Sequence, residues 1–279
     1  MNVDGAPHRA LRWLGHATVL IERDGARFLT DPLLRGRFLH VRRRAAPIEV
    51  DDLPPIDAVL ISHLHADHFD VPSLRRLPED VAVIVPTGAG AFARRAGLRH
   101  VEEAPTGREL TIAGVSVTSV AAHHSGFRPP AGPTAEACGY LVGSAGSVYF
   151  AGDTGLFAGM AELRGQVDTA LLPVGGWGPT LRGHHLDPRQ AAQALTLIAP
   201  RAARPIHWGT YWPAGYPRTA RFHTPGRAFA AWAARLAPAV EVHDWAVGET
   251  ERARPAHPTA PGESAPGRRV GTVPGAPEA

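Results

Sequence analysis

The chain has 279 residues, of which 44% are hydrophobic and 20% charged, with a formal net charge of +3. That is enough apolar material for a packed core in one large or two small domains, which excludes a fibrous or wholly disordered chain. All 29 basic residues are Arg, so the sequence pI near 9.6 reflects a compositional habit and is weak grounds for a nucleic-acid partner.

The opening fifteen residues, MNVDGAPHRALRWLG, contain no apolar signal core. No later apolar run reaches the roughly 18 residues of a membrane span. A single cysteine, Cys138, excludes an internal disulfide and fits a reducing compartment, so a cytoplasmic protein is expected. In chain order, strands are predicted at 18–22, 26–31, 57–62, 81–86, 114–122, 138–143, 147–152, 169–174, 203–207 and 240–247, where short apolar runs alternate or cluster. Helices fall between some of them: 72–77 behind Asp70 as N-cap, and 89–97 ending at Gly97. Two more follow: 188–199 with Asp187 as cap and Pro188 at the first helical position, and 227–237, apolar at helical spacing. GSAGS, at 143–147, reads as a hairpin turn. Antiparallel strands come first, then strand and helix alternate, which predicts a layered α/β domain with helices covering its sheets. One domain over 1–248 is expected. The Pro-, Gly- and Ala-rich stretch 249–279 is expected to be a disordered tail.

The segment ISHLHADHFD (61–70) holds His63, His65, Asp67 and His68 within six positions. Imidazoles and a carboxylate are poor core material. They follow a buried strand, on the loop at its C-terminal end, where α/β sheets bind ligands. A polar surface loop is the bland alternative. Against it, alternate residues of an extended loop point the same way, so His63 and His65 can share one metal while Asp67 and His68 turn to a second. One loop cannot saturate two metals, and three other strand ends supply ligand-type residues: His123 and His124, Asp153, and His207. Imidazole and carboxylate donors without thiolate suit Zn²⁺, and also Mn²⁺ or Fe²⁺.

With HLHADH and the later His, Asp and His in that order, the chain resembles the metallo-β-lactamase-fold hydrolases. The likeness spans about residues 11–248. It is strongest to the N-acylphosphatidylethanolamine-hydrolysing phospholipase D family and its bacterial relatives, through WLGHATVLIE, LPPIDAVLISHLHADHFD, FAGDTG, HLDPRQAAQA and PIHWGTY. The resemblance implies an αββα sandwich with a dinuclear site at one edge of the two sheets. It assigns His63, His65 and His124 to one metal and Asp67, His68 and His207 to the other, with Asp153 bridging; it favours His124 over His123. Lactamases proper usually carry a Cys where this chain has Asp153, which argues against a penicillin-type substrate.

Two divalent ions so held lower the pKa of a shared water enough to supply a metal-bridging hydroxide near neutral pH. Asp67 would orient that nucleophile, and His185, in RGHHLDP, matches the family's loop histidine and is assigned substrate contact or acid catalysis. His16 reads as structural or outer-shell at least as readily as substrate-binding. Trp177, Trp208, Tyr211, Trp212 and Phe127 either line an apolar wall or merely shape the rim. The Arg-rich segment 35–47 meets an anionic substrate or membrane surface, or is a solvated loop. The expected activity is hydrolysis of a phosphodiester in a small or lipid-like substrate, with a lactone or other carboxylic ester as the alternative. The two differ in electrostatics, because a phosphoryl group needs Arg182 or an arginine of 35–44 at the site. An RNA-processing nuclease would need an additional RNA-gripping arm, for which the motifs leave no room. Cys138 reads as a small buried residue, not a nucleophile.

Overall fold

Period-two alternation in the strands decides the layering, because each strand sends successive side chains to opposite faces. A computed structural model describes residues 9–144, 146–176 and 184–252. The expectations placed on Trp177, Arg182 and residues 253–279 lie outside those described residues. The first half runs β1 (Arg9–Gly15), β2 (Thr18–Arg23), β3 (Ala26–Thr30), β4 (Arg37–Phe38), β5 (Val41–Arg43), β6 (Ala58–Leu60), α1 (Val71–Leu74), β7 (Ala82–Val85), α2 (Gly90–Arg95) and β8 (Val101–Glu103). The second half runs β9 (Glu109–Ile112), β10 (Val115–Ala121), β11 (Cys138–Val142), β12 (Ser147–Phe150), β13 (Val167–Pro173), α3 (Pro188–Ile198), β14 (Ala202–Ile206), β15 (Tyr211–Pro213), α4 (Ala220–His223), α5 (Pro225–Leu236), β16 (Glu241–Val242) and β17 (Thr250–Arg252).

Two seven-stranded sheets result, in the orders β17-β1-β2-β3-β6-β7-β8 and β16-β14-β13-β12-β11-β10-β9. Each is half antiparallel meander and half parallel: β3, β6, β7 and β8 run together, as do β12, β13, β14 and β16. Trp13, Val19, Ile21, Phe28 and Leu60 of the first sheet meet Val117, Tyr140, Val142, Phe150 and Leu171 of the second in a layer closed to solvent. Each such aliphatic or aromatic side chain contributes about 1.5–3 kcal/mol by leaving water. The alternate residues Leu20, Leu29, Val59 and Val83 pack outward on Leu74 of α1 and Ala93 of α2. On the other side Ala170, Leu172 and Ala203 pack on Leu195 and Ile198 of α3 and Phe229 of α5. The expected αββα sandwich is the observed one.

Local signals set several boundaries. Asp187 caps α3 in a full capping box with Gln190, and Asp70 accepts from Ser73 N at the start of α1. That helix stops after four residues, short of the predicted Leu77. Pro78 follows, and a proline disfavours the helical conformation in the residue before it. The expected tail from 249 needs correcting, because Thr250–Arg252 pairs antiparallel with Ala10–Arg12 and edges the first sheet. Its composition gave no strand signal; pairing to an edge supplied one. No helix among the described residues is long and apolar enough to cross a membrane.

Candidate metal centre

In HLHADHFD the apolar residues point one way and the polar ones the other. Leu64 and Phe69 are fully buried in the layer under α1 and α2, anchoring the loop that leaves β6. His68 N and Phe69 N both donate to His65 O (3.0 and 2.8 Å), which tightens the loop into a turn. From the loop that follows β10, the Arg128 guanidinium donates to Leu64 O (2.5 Å) and Phe69 O (3.2 Å) and lies over the Phe69 and Phe92 rings. With the backbone held from behind, His63, Asp67 and His68 are driven inward and buried, and His65 is partly exposed.

The remaining groups arrive from the same edge of both sheets. β1 ends before His16, β3 before Asp31, β12 before Asp153 and β14 before His207, while His124 follows β10. Gly152 lets the chain pass Ser62: its φ is +60°, and an added Cβ would collide with the serine side chain. Ligand-type atoms of His63, His65 and His124 all lie within 4.8 Å of one another, and so do those of His16, Asp67, His68 and His207. Asp153 reaches toward both groups. Its Oδ2 is 3.1 Å from His68 Nε2, its Oδ1 is 3.3 Å from His207 Nε2, and it clusters with His124 and His185. His185 Nδ1 stands 3.3 Å from Asp153 Oδ2 on the partly open side. His184 instead turns its ring out beside His123, and its carbonyl accepts from His124 Nδ1 at 2.8 Å. Of the two adjacent histidines, His124 joins the cluster and His123 stays exposed.

With these groups at one edge, the likeness to known proteins is specific. A family model described as a beta-lactamase superfamily domain matches residues 26–208. The chain belongs to the metallo-β-lactamase superfamily. An N-acyl-phosphatidylethanolamine-hydrolyzing phospholipase D of Caenorhabditis elegans is 32% identical over 225 residues, covering 71% of this chain and 63% of the worm protein. A UPF0173 metal-dependent hydrolase of Methanopyrus kandleri is 35% identical over 218 residues, 73% of this chain and 85% of its own. Among solved structures, Igni18, a metallo hydrolase from Ignicoccus hospitalis, superposes with a TM-score of 0.69 at 22% identity, covering 88% of this chain and 99% of that one. At that identity the likeness concerns the fold.

The superfamily implies metal, and the donor set fits it. His68 Nε2 faces His207 Nε2 at 3.2 Å, and His124 Nε2 faces His65 Nδ1 at 3.1 Å. Two ring nitrogens this close need a proton or a cation between them. Donors sharing a tetrahedral ion with bonds near 2.1 Å would lie about 3.4 Å apart. Two far nitrogens are occupied: His68 Nδ1 lies 2.7 Å from Asp31 Oδ2, and His63 Nδ1 lies 2.9 Å from Ser62 Oγ. Such outer partners fix the tautomer and aim the other nitrogen inward. His63 Nε2 and Asp153 Oδ1 are buried without a hydrogen-bond partner.

Charge makes the same demand. Asp31, Asp67 and Asp153 are all buried. Burial opposes ionisation of Asp153, but His207 and His68 beside it hold its carboxyl well below the usual range. Asp67 is likewise held well below against its own burial by His68 and His16. For Asp31 burial prevails and pushes the carboxyl up. Burial also depresses His63 and His207 well below the ordinary imidazole value, and takes His124 down to about 4. His68 moves the other way, well above, because Asp153, Asp67 and Asp31 outweigh its burial. At His185 burial is likewise outweighed by Asp153, and its pKa rises. The carboxylates of Asp67 and Asp153 thus lie buried beside His63, His124 and His207, whose burial keeps their rings neutral and their lone pairs open to a cation.

Asp31 was not foreseen in the cluster, and His16, read as structural or outer-shell, enters it through Asp67. His16 sits at φ +53° in the turn after Gly15, its Nε2 3.0 Å from Asp67 Oδ2, while its carbonyl accepts from His207 N and Trp13 Nε1. Asp31, read only as the end of a strand, holds His68 and Ser62. Strand-end polarity was the shared signal, present in LGHAT and FLTDP alike. Among the expected wall aromatics, Trp208 packs against Trp13 in the core, 5.7 Å between rings. Tyr211 is buried and donates to Leu33 O and Arg35 O. Phe127, 41% exposed, is left as a rim residue.

Proposed function

We propose that this chain is a metal-dependent hydrolase. His63, His65 and His124 hold one divalent ion, Asp67, His68 and His207 hold a second, and Asp153 lies between them, with Zn²⁺ the best match and Mn²⁺ or Fe²⁺ compatible. The observation that carries this reading is the position of Asp153, whose two oxygens approach His68 and His207 while it also clusters with His124. Divalent ions held there would supply an activated water near neutral pH and a positive field for charge developing on oxygen.

The chain's own groups do the positioning. His16 holds the Asp67 carboxylate at 3.0 Å, and Asp31 fixes the ring of His68. Asp67 is the group that orients the nucleophile. His185, on the partly open side of Asp153, contacts the substrate and hands a proton to the leaving oxygen. The substrate is a phosphodiester, a reading supported by the 32% identity to the worm phospholipase D. One observation favours a carboxylic ester or lactone instead. Arg35, the first arginine of the Arg-rich segment, is engaged by Asp70 at 2.6 and 2.9 Å, so it is not spare to grip a phosphoryl group. The buried thiol of Cys138 suits a cytoplasmic enzyme.

The test is cleavage of bis(p-nitrophenyl) phosphate by the protein loaded with Zn²⁺ or Mn²⁺, beside Asp67→Ala at matched metal. Turnover by the wild type, reduced at least about 10³-fold in the variant with an unchanged circular dichroism spectrum, is expected. Equal turnover in both would end the assignment of Asp67. Metal-replete protein that cleaves p-nitrophenyl esters and lactones but no diester would move the substrate to the carboxylic-ester class.

A further inference from the structure

We propose that the three-stranded sheet β15-β5-β4, with the turn after β15, docks this chain on an anionic phospholipid surface. Arg37 stands directly opposite Arg42, and Arg42 opposite Trp212. Successive strand residues alternate faces, so these three share the side away from Phe38 and Val41, which are buried with Leu33 and Tyr211. Like charges placed opposite one another destabilise a sheet. Among the described residues neither Arg37 nor Arg42 forms an ion pair, and the sequence has no carboxylate anywhere in 32–48 or 209–240. Arg44, bonded to Pro213 O, and Arg218, over the Phe222 ring, add cations to the same region.

Apolar tips project from this basic face. Leu39 begins the β4–β5 turn at φ +47° and is 69% exposed, while Tyr216 is 70% exposed. They are the two most exposed large hydrophobic side chains among the described residues. Their turns touch, since Ala214 N donates to His40 O. A leucine in a left-handed backbone conformation with its side chain in water has no folded-state reason to be there.

One occupant satisfies both features. Lipid phosphates take the arginines, and Leu39 and Tyr216 enter the interfacial layer, where tyrosine is at home. A second copy of this face would set arginine against arginine. A nucleic acid would take the arginines but leave Leu39 without a partner. The flap also adjoins the metal loop: its buried cluster packs on Ala66, and Tyr211 lies edge-on to His16 at 6.1 Å. Docking would hold the centre beside the membrane, a consequence that rests on the hydrolase reading although the docking does not.

Co-sedimentation of the full chain tests this with vesicles of phosphatidylglycerol and phosphatidylcholine in equal parts, and with phosphatidylcholine alone. Binding to the anionic vesicles only is expected, weakening with salt. Each arginine near the surface contributes about fivefold to partitioning, so Arg37→Gln with Arg42→Gln lowers it about 25-fold at low salt. Leu39→Ser lowers it about tenfold. Both variants keep the wild-type melting temperature within about 2 °C, because the changed side chains lie outside the core. The proposal falls if the wild type ignores anionic vesicles, binds phosphatidylcholine equally well, or if both variants bind like wild type. It also falls if a single-stranded oligonucleotide binds more tightly than the vesicles and Leu39→Ser leaves that binding unchanged, which would make the face a polyanion site. No readout uses turnover, so an inactive protein leaves the result interpretable.

Discussion

At the scale of single residues, several imidazoles of the centre are given two jobs. One nitrogen takes an outer partner, as His68 does with Asp31 and His124 with His184 O, and the other is aimed inward. His185 differs from these. Its Nδ1 lies near Asp153 but is buried without a hydrogen-bond partner, and its ring faces the partly open side. Replacing His185 by Ala is therefore expected to lower kcat about 10²-fold while bound metal, measured by atomic absorption, stays at the wild-type level. Loss of an equivalent of metal would make His185 a ligand instead. Cys138 illustrates the opposite case. Burial pushes its thiol up to about 12, so the native protein holds it as a neutral thiol throughout pH 7–9. Alkylation by iodoacetamide is expected to be undetectable across that range and to become rapid in denaturant. A native rate that climbs tenfold per pH unit would show an accessible thiolate.

At the scale of elements, strand ends matter more than strands. β6 has three residues and β16 has two, yet β6 delivers four of the proposed ligands because the loop behind it is anchored by Leu64 and Phe69. The C-terminal strand has a different task. Arg204 of β14, 1% exposed, donates through Nε to Glu251 Oε2 of β17 at 2.5 Å and pairs through its second terminal nitrogen with Oε1. Its first terminal nitrogen donates to Ala203 O and Glu241 O. That contact ties an edge strand of one sheet to a strand of the other. Glu251→Gln leaves the guanidinium buried without its counter-charge, and a loss of about 2 kcal/mol is expected in urea denaturation, less than for a fully buried pair because the carboxylate is partly exposed. A loss below about 0.5 kcal/mol would mean β17 is held by its ladder to β1 alone.

At the scale of the whole molecule, two sheets converge to bury Asp31, Asp67 and Asp153 within one cluster. A site that gathers buried carboxylates and neutral imidazoles is stabilised when cations fill it, and only the folded chain offers it. Ligand present at about 100 times its dissociation constant adds about 2.7 kcal/mol. Removing metal with a chelator should therefore lower Tm by about 5–10 °C, since 1 kcal/mol shifts a domain of this size by about 2–4 °C. Adding back Zn²⁺ or Mn²⁺ should restore it. A Tm indifferent to chelation, in protein shown to have been metal-replete, would remove the stabilising role assigned to the centre.

The chain's own text determined the layered α/β class, four helices and ten of the strands. It also determined the loop that gathers His63, His65, Asp67 and His68, because hydrophobic period and residue type are local properties. Of the strands it left out, β4, β5, β8, β15 and β17 are two or three residues long, too short for periodicity to mark, while β1 and β9 run seven and four residues and interleave Arg, Glu or Thr with their apolar positions. That His16 meets Asp67, that Trp208 belongs to the core and that Asp31 stands behind His68 were settled by tertiary structure alone. Each of those is a contact between distant strand ends. A strand end acquires neighbours only when the sheets close over their shared core.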